Sequence, residues 1–93
     1  MIVEFKGFTC TVRVINTPEG NSILLLDVED GLPVATVTKS VAGFTPQPDQ
    51  VLIKNYSENE GILDILIDAG VISKPVGTVK TGFTELHICF LKE

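Results

Sequence analysis

Apolar and polar residues alternate along most of this chain, and the period is that of a β-strand. Phe8, Cys10, Val12 and Val14 fall on one side of the first long stretch, and Thr9, Thr11, Arg13 and Ile15 on the other. A shorter strand, residues 2–5, precedes it, and Lys6-Gly7 marks a bend or bulge between the two. Asn16-Thr17-Pro18-Glu19-Gly20-Asn21 is a run of turn residues. Residues 22–29 predict a second strand, apolar on both sides at Leu24, Leu25 and Leu26, so both of its faces are expected to be covered, one of them by a helix. Asp30-Gly31 predicts a hairpin turn. Pro33 stands at the entrance of a third strand, where a missing N–H is tolerable. That strand, residues 34–41, sets Ala35, Val37 and Val41 against Thr36, Thr38 and Ser40. The three strands predict an antiparallel meander.

The period changes after a loop at residues 42–50, which Phe44 is expected to pin to the core. A short strand at 51–54 leads to the stretch Ser57-Glu58-Asn59-Glu60-Gly61-Ile62-Leu63. Ser57 followed by Glu60 has the spacing of a capping box, in which hydroxyl and carboxylate each take a backbone N–H at the helix start. Gly70 supplies a stop in the left-handed conformation. A helix is therefore predicted over roughly residues 58–69. Ile62, Leu66 and Ala69 lie along one face with Leu63 and Ile65 beside them, and Asp64 and Asp68 lie opposite. Gly61 is a weak point in a helix interior, or else a place where another backbone or a ligand comes close. Tyr56 stands where a hydrophobic staple packs against the first turn; the alternative is a recognition aromatic on an exposed patch. Beyond Gly70 come a brief extended piece at Val71-Ile72, a loop at 74–77, a short pairing segment at 78–80 and a last strand over 83–91. The fold class is α+β: one domain over residues 1–93, a mostly antiparallel sheet of about five strands, and one helix packed on it.

Composition narrows the class. The chain has 93 residues, 44% hydrophobic and 20% charged, which suits a folded globule. The apolar run at residues 23–26 is far too short to span a bilayer. The N-terminus carries Glu4 where a secretory leader wants a basic region, so a cytosolic protein is expected. A formal charge of −5 disfavours ordinary nucleic-acid binding, because the phosphate backbone repels such a surface. Glu58, Glu60, Asp64 and Asp68 form one acidic group, which either keeps the protein soluble or meets a basic patch on a partner. Cys10 and Cys89 are expected to be buried free thiols rather than a disulfide.

Catalytic and cofactor chemistry finds little footing. Glu85, His87 and Cys89 alternate onto one face of the last strand, in outline a nucleophile, a base and an acid. Residues two apart on a strand, however, have Cα atoms roughly 6.5–7 Å apart, too far for an easy hydrogen bond. Neither a zinc ligand set nor a calcium loop is present, and no glycine-rich phosphate fingerprint, so no metal or cofactor is expected. Lys39-Ser40, Lys80-Thr81-Gly82 and Lys54, just ahead of the helix, offer donors for a small anion. Ordinary surface lysines explain the same letters.

Four phrases together carry a resemblance: I-L-L-L-D-V-E-D-G-L-P-V-A-T-V-T, V-L-I-K-N-Y-S-E-N-E-G-I-L, A-G-V-I and T-G-F-T-E-L-H-I-C. Over nearly its whole length the chain resembles a family of small single-domain proteins of unknown function, carried by phages and conjugative elements of gut bacteria. The most specific piece is Asn55-Tyr56-Ser57-Glu58-Asn59-Glu60-Gly61. The resemblance brings no catalytic residues. It implies an accessory gene of a mobile element, a setting in which small acidic proteins often inhibit or regulate host defence. Two expectations result. One is a non-catalytic protein whose surface of Tyr56, Glu58, Glu60, Asp64 and Asp68 meets a basic protein partner, with homodimerisation through an exposed sheet edge as a further option. The other is a nucleotide- or anion-binding protein using Lys54, Lys80 and Thr81.

Overall fold

The computed structural model describes residues 1–18 and 20–92. The fold is α+β, built from antiparallel strands and one helix. Strands β1 (Ile2–Phe5), β2 (Phe8–Thr17), β3 (Gly20–Asp27) and β4 (Pro33–Thr36) form a four-stranded meander in sequence order. Strands β5 (Gln50–Lys54), β6 (Gly77–Thr81) and β7 (Thr84–Phe90) form a three-stranded sheet in the order β5-β7-β6. The alternation had suggested about five strands in one sheet; the described residues form a four-stranded and a three-stranded sheet.

Several local expectations change. Lys6-Gly7 is a hairpin turn rather than a bend or bulge, with φ of 50° and 85° at its two residues and Phe5 paired to Phe8. The turn expected over 16–21 is tighter, since Asn16 still pairs with Asn21 and Thr17 with Gly20. The third predicted strand ends at Thr36, not Val41. Val37 explains why. Its N–H donates to the Ile23 carbonyl in the first sheet (2.9 Å), and its carbonyl accepts from the Lys54 N–H in the second (2.8 Å). Thr38 then bridges to Ile53. The chain thus changes sheets at a fully buried residue, the corner device of packed sheets.

The core lies between the sheets and the helix. Val3, Phe5, Cys10, Ile23 and Leu25 face Val51, Ile53 and Cys89, and Ile62, Leu63 and Leu66 close the cluster. Each of those helix side chains, once buried, stabilises the fold by about 1.5–3 kcal/mol. That matters because α1 spans only Ile62–Asp68, too short to persist alone. It packs on β1 and β5. The helix does not cover β3, as Leu24–Leu26 had suggested: Ile23 and Leu25 are buried, while Leu24 and Leu26 are only half-buried. Cys10 and Cys89 are free and buried, as expected.

The two ends of α1 are made differently. At the C-terminus Gly70 adopts φ 78°, its N–H donates to the Ile67 carbonyl (3.0 Å), and the Val71 N–H donates to the Leu66 carbonyl (3.0 Å). This is the left-handed stop expected of Gly70. At the N-terminus the Ser57–Glu60 capping box does not form. Ser57–Asn59 is a single 3-10 turn, and α1 begins only after Gly61, which has φ 95°. The side chain of Asn55 caps instead, its Oδ1 accepting from the N–H groups of Gly61 (3.2 Å) and Leu63 (2.9 Å). Gly61 therefore serves backbone conformation and not close approach, since a Cβ there would meet nothing within 4 Å.

Candidate functional site

The turn between β5 and α1 is held from beneath. Asn59 is 1% exposed, and its amide donates to the Thr36 carbonyl (2.7 Å) at the end of β4. Asn55 is committed to the helix start. Between them Ser57 is pushed to φ 58°, uncommon for a residue with a Cβ. Strained residues of this kind persist where the surroundings over-determine them. The outcome is a fixed turn with Glu58 and Glu60 exposed and Tyr56 half-exposed.

Charges gather around that turn. Lys54 forms an ion pair with Glu58 and also sits over the Tyr56 ring, 5.4 Å from its centroid. Lys6, from the β1–β2 turn, donates to the Glu58 carbonyl (2.8 Å). The hydrogen bond from Lys54 holds the Glu58 carboxyl down at about 2, with help from its own backbone N–H and the Ser57 hydroxyl. Tyr56 is half-exposed and is not part of the core cluster that holds Ile62, Leu63 and Leu66. Hydrogen bonding to the Thr84 side chain, then the charges of Lys39 and Lys54, lower its hydroxyl below the ordinary phenol value. Tyr56 thus lies against the β6–β7 hairpin, whose tip carries a fully exposed Phe83.

The acidic group expected from the sequence is present in part. Glu60, Asp64 and Asp68 are exposed. Glu58 is exposed as well, but Lys54 offsets its charge. The expected anion set is not assembled. Lys54 stands beside Leu86 and Lys80 beside Glu85 in the register. Neighbours along β7 point to opposite faces, so the two lysines do too. Thr81, paired with Thr84, shares the face of Lys54. The second lysine on that face is Lys39, brought there when residues 37–39 join β5. Parity across paired strands decides this, and no spacing within the sequence reports it.

Lys39 also borders a cleft of about 630 Å³. It lies between the β2–β3 turn and the 40–48 segment, with Val51 and Leu52 beneath. Phe44 is half-buried in its wall rather than pinned in the core. Among the described residues the cleft draws on the β2–β3 region at Thr17, Pro18, Gly20, Asn21 and Ser22 and on a second stretch beginning at Thr38, which the sheet-changing step at Val37 brings beside it.

The possible nucleophile is disarmed. Burial pushes the Cys89 thiol up to about 11 and also raises that of Cys10, whereas a reactive cysteine needs a depressed value. His87, half-buried, stands beside Ile53 and Thr78 in the register. Among the described residues no group of three His, Cys, Asp or Glu side chains is arranged to hold a metal ion, and no helix is long and apolar enough to cross a membrane. Comparison with family models, with curated proteins and with solved structures finds no match to this chain.

Proposed function

We propose that this chain is a non-catalytic binding protein that presents the Tyr56 turn and the acids beside it to a protein partner with a basic surface. One observation carries the reading. Two amide side chains, Asn55 and buried Asn59, fix a turn whose outward residues are Tyr56, Glu58 and Glu60. A surface shaped before the encounter loses less entropy on binding. Asp64 and Asp68 extend the acidic area along α1, and opposite charge on a partner would speed and orient docking. The resemblance to small proteins of phages and conjugative elements supplies the setting: a cytoplasmic partner, a host defence protein among the options, that the chain inhibits or modulates. The β6 edge offers a route to a homodimer.

The test is capture from a host lysate by the native protein beside two variants. One carries Glu60→Lys, Asp64→Lys and Asp68→Lys, whose side chains make no hydrogen bond among the described residues; the other is Tyr56→Ala. The expected outcome is a partner held by the native chain, lost from both variants and released at high salt. Equal capture by the native and charge-reversed proteins, or binding indifferent to salt, would overturn the acidic-surface reading.

A further inference from the structure

We infer that the outward face of the β1–β4 sheet docks a second copy of this chain, the two sheets lying face to face about a two-fold axis. The β3 stretch is apolar on both sides, yet among the described residues only one side joins the core. Ile23 and Leu25 are buried in it, while Leu24 and Leu26 stand on the opposite side and stay half-buried. Residues paired across strands share a face, so the register sets Ile2, Thr11 and Leu26 in one outward row. Ile2 is 56% exposed there. Val28, whose N–H donates to the Thr9 carbonyl (3.1 Å), and Ile15, paired with Ser22, are exposed toward the two ends of the same face. A contiguous apolar area of this kind marks an interaction surface.

Charge and register select the occupant. The chain carries 12 acidic residues against 7 lysines and arginines, so two copies repel unless they meet where charge is balanced. The outward positions of β1, β2 and β3 hold one acid and one base, Glu4 and Arg13, both exposed. Glu4 accepts from the neighbouring Thr9 hydroxyl (3.4 Å), and neither charge has an ion-pair partner among the described residues. Antiparallel pairing sets the two on opposite sides of the Ile2–Thr11–Leu26 row, each two residues away from it. A two-fold axis along that row, midway between two stacked sheets, brings Glu4 of each copy over the end that holds Arg13 of the other, one strand across. The same axis sets Ile2 and Leu26 against their own counterparts and Leu24 against Val28. The strands of the two sheets then run nearly aligned, as in a sandwich. The face is thus self-complementary in charge and in apolar contact, as an isologous interface requires. It uses neither the acidic surface proposed above nor the β6 edge.

The test is sedimentation equilibrium of the intact chain from about 10 μM to about 1 mM, a range suited to an interface no larger than one small sheet face. A reversible dimer is expected. Glu4→Arg and Arg13→Glu, each at an exposed position, should keep the native circular dichroism spectrum. Each should weaken the dimer at least about tenfold, because each sets like charges across the axis twice. The two changes combined restore the pairing with its sense reversed and should bring the dimer back toward native strength. Ile2→Lys, which places two ammonium groups on the axis, should abolish it. A native chain that stays monomeric at about 1 mM would overturn the inference. So would a dimer that tolerates either single charge reversal, which would leave the β6 edge as the interface, or a double variant no stronger than the singles.

Discussion

Two irregular segments flank β5, and they are held in opposite ways. Residues 55–61 are anchored from below, through a buried amide and a side-chain cap. Residues 40–49 are tied mainly from the side and at one end: Asn21 to the Pro48 carbonyl, the Phe44 N–H to the Val41 carbonyl, and Gln50 Oε1 accepting from the Gln47 N–H. The first arrangement fixes a convex display of side chains. The second borders a cleft. The contrast separates a segment anchored through the core from one anchored at the surface, and it can be broken by single substitutions.

The largest effect is expected at Asn59. Asn59→Ala removes the bond to the part-buried Thr36 carbonyl and leaves a small cavity where a fully buried side chain stood, which costs about 2–3 kcal/mol. Asn21→Ala removes a hydrogen bond of similar length at the exposed loop, where water replaces it, and should cost less than about 1 kcal/mol. Urea unfolding midpoints of the two variants measure the difference. Equal losses would mean that the two segments are anchored alike.

Next comes the helix start. Asn55→Ala should cost about 1–2 kcal/mol, the range for a lost N-cap, and Ser57→Ala should cost little because its hydroxyl caps nothing in the helix. Gly61 distinguishes the structures more sharply, because the sign changes. In a helix interior Gly→Ala stabilises by about 1 kcal/mol. At φ 95° the same change strains the backbone and should destabilise by about 1–2 kcal/mol. A stabilised Gly61→Ala would restore the longer helix over 58–69.

These residues also show how far the sequence could be read. Gly70 was legible because a left-handed stop is local, settled by bonds to Leu66 and Ile67 a few residues back. The start was misread because S-x-x-E is a local pattern overruled by distant partners: Asn59 is claimed by Thr36, and Asn55 reaches forward to Leu63. Strand alternation located the strands well and the β4 boundary badly, since the exchange of partners at Val37 leaves the alternation intact. The acidic residues were found because exposure follows from polarity. Lys39 and Lys80 both stood beside Lys54 among the possible anion donors, and which of them shares its face depends on which strands pair.

The smallest effect is at the ion pair on the display turn, and it is best read by titration. A Glu58 carboxyl held near 2 in the fold, against an ordinary 4.5, binds its proton less tightly when folded than when unfolded. Its stabilising contribution is therefore complete above about pH 4.5 and disappears as the pH falls toward 2. The exposure of Glu58 to solvent keeps that contribution small, so unfolding curves are a poor gauge and carboxyl-carbon NMR a good one. Glu58 should titrate with a midpoint near 2, and Lys54→Gln should move the midpoint up toward the ordinary value, since Lys54 is the chief cause of the depression. A midpoint that stays low without Lys54 would transfer the effect to the Ser57 hydroxyl and the Glu58 N–H. The turn would then hold its carboxylate by its own strained backbone, and Lys54 would be free to serve the Tyr56 face.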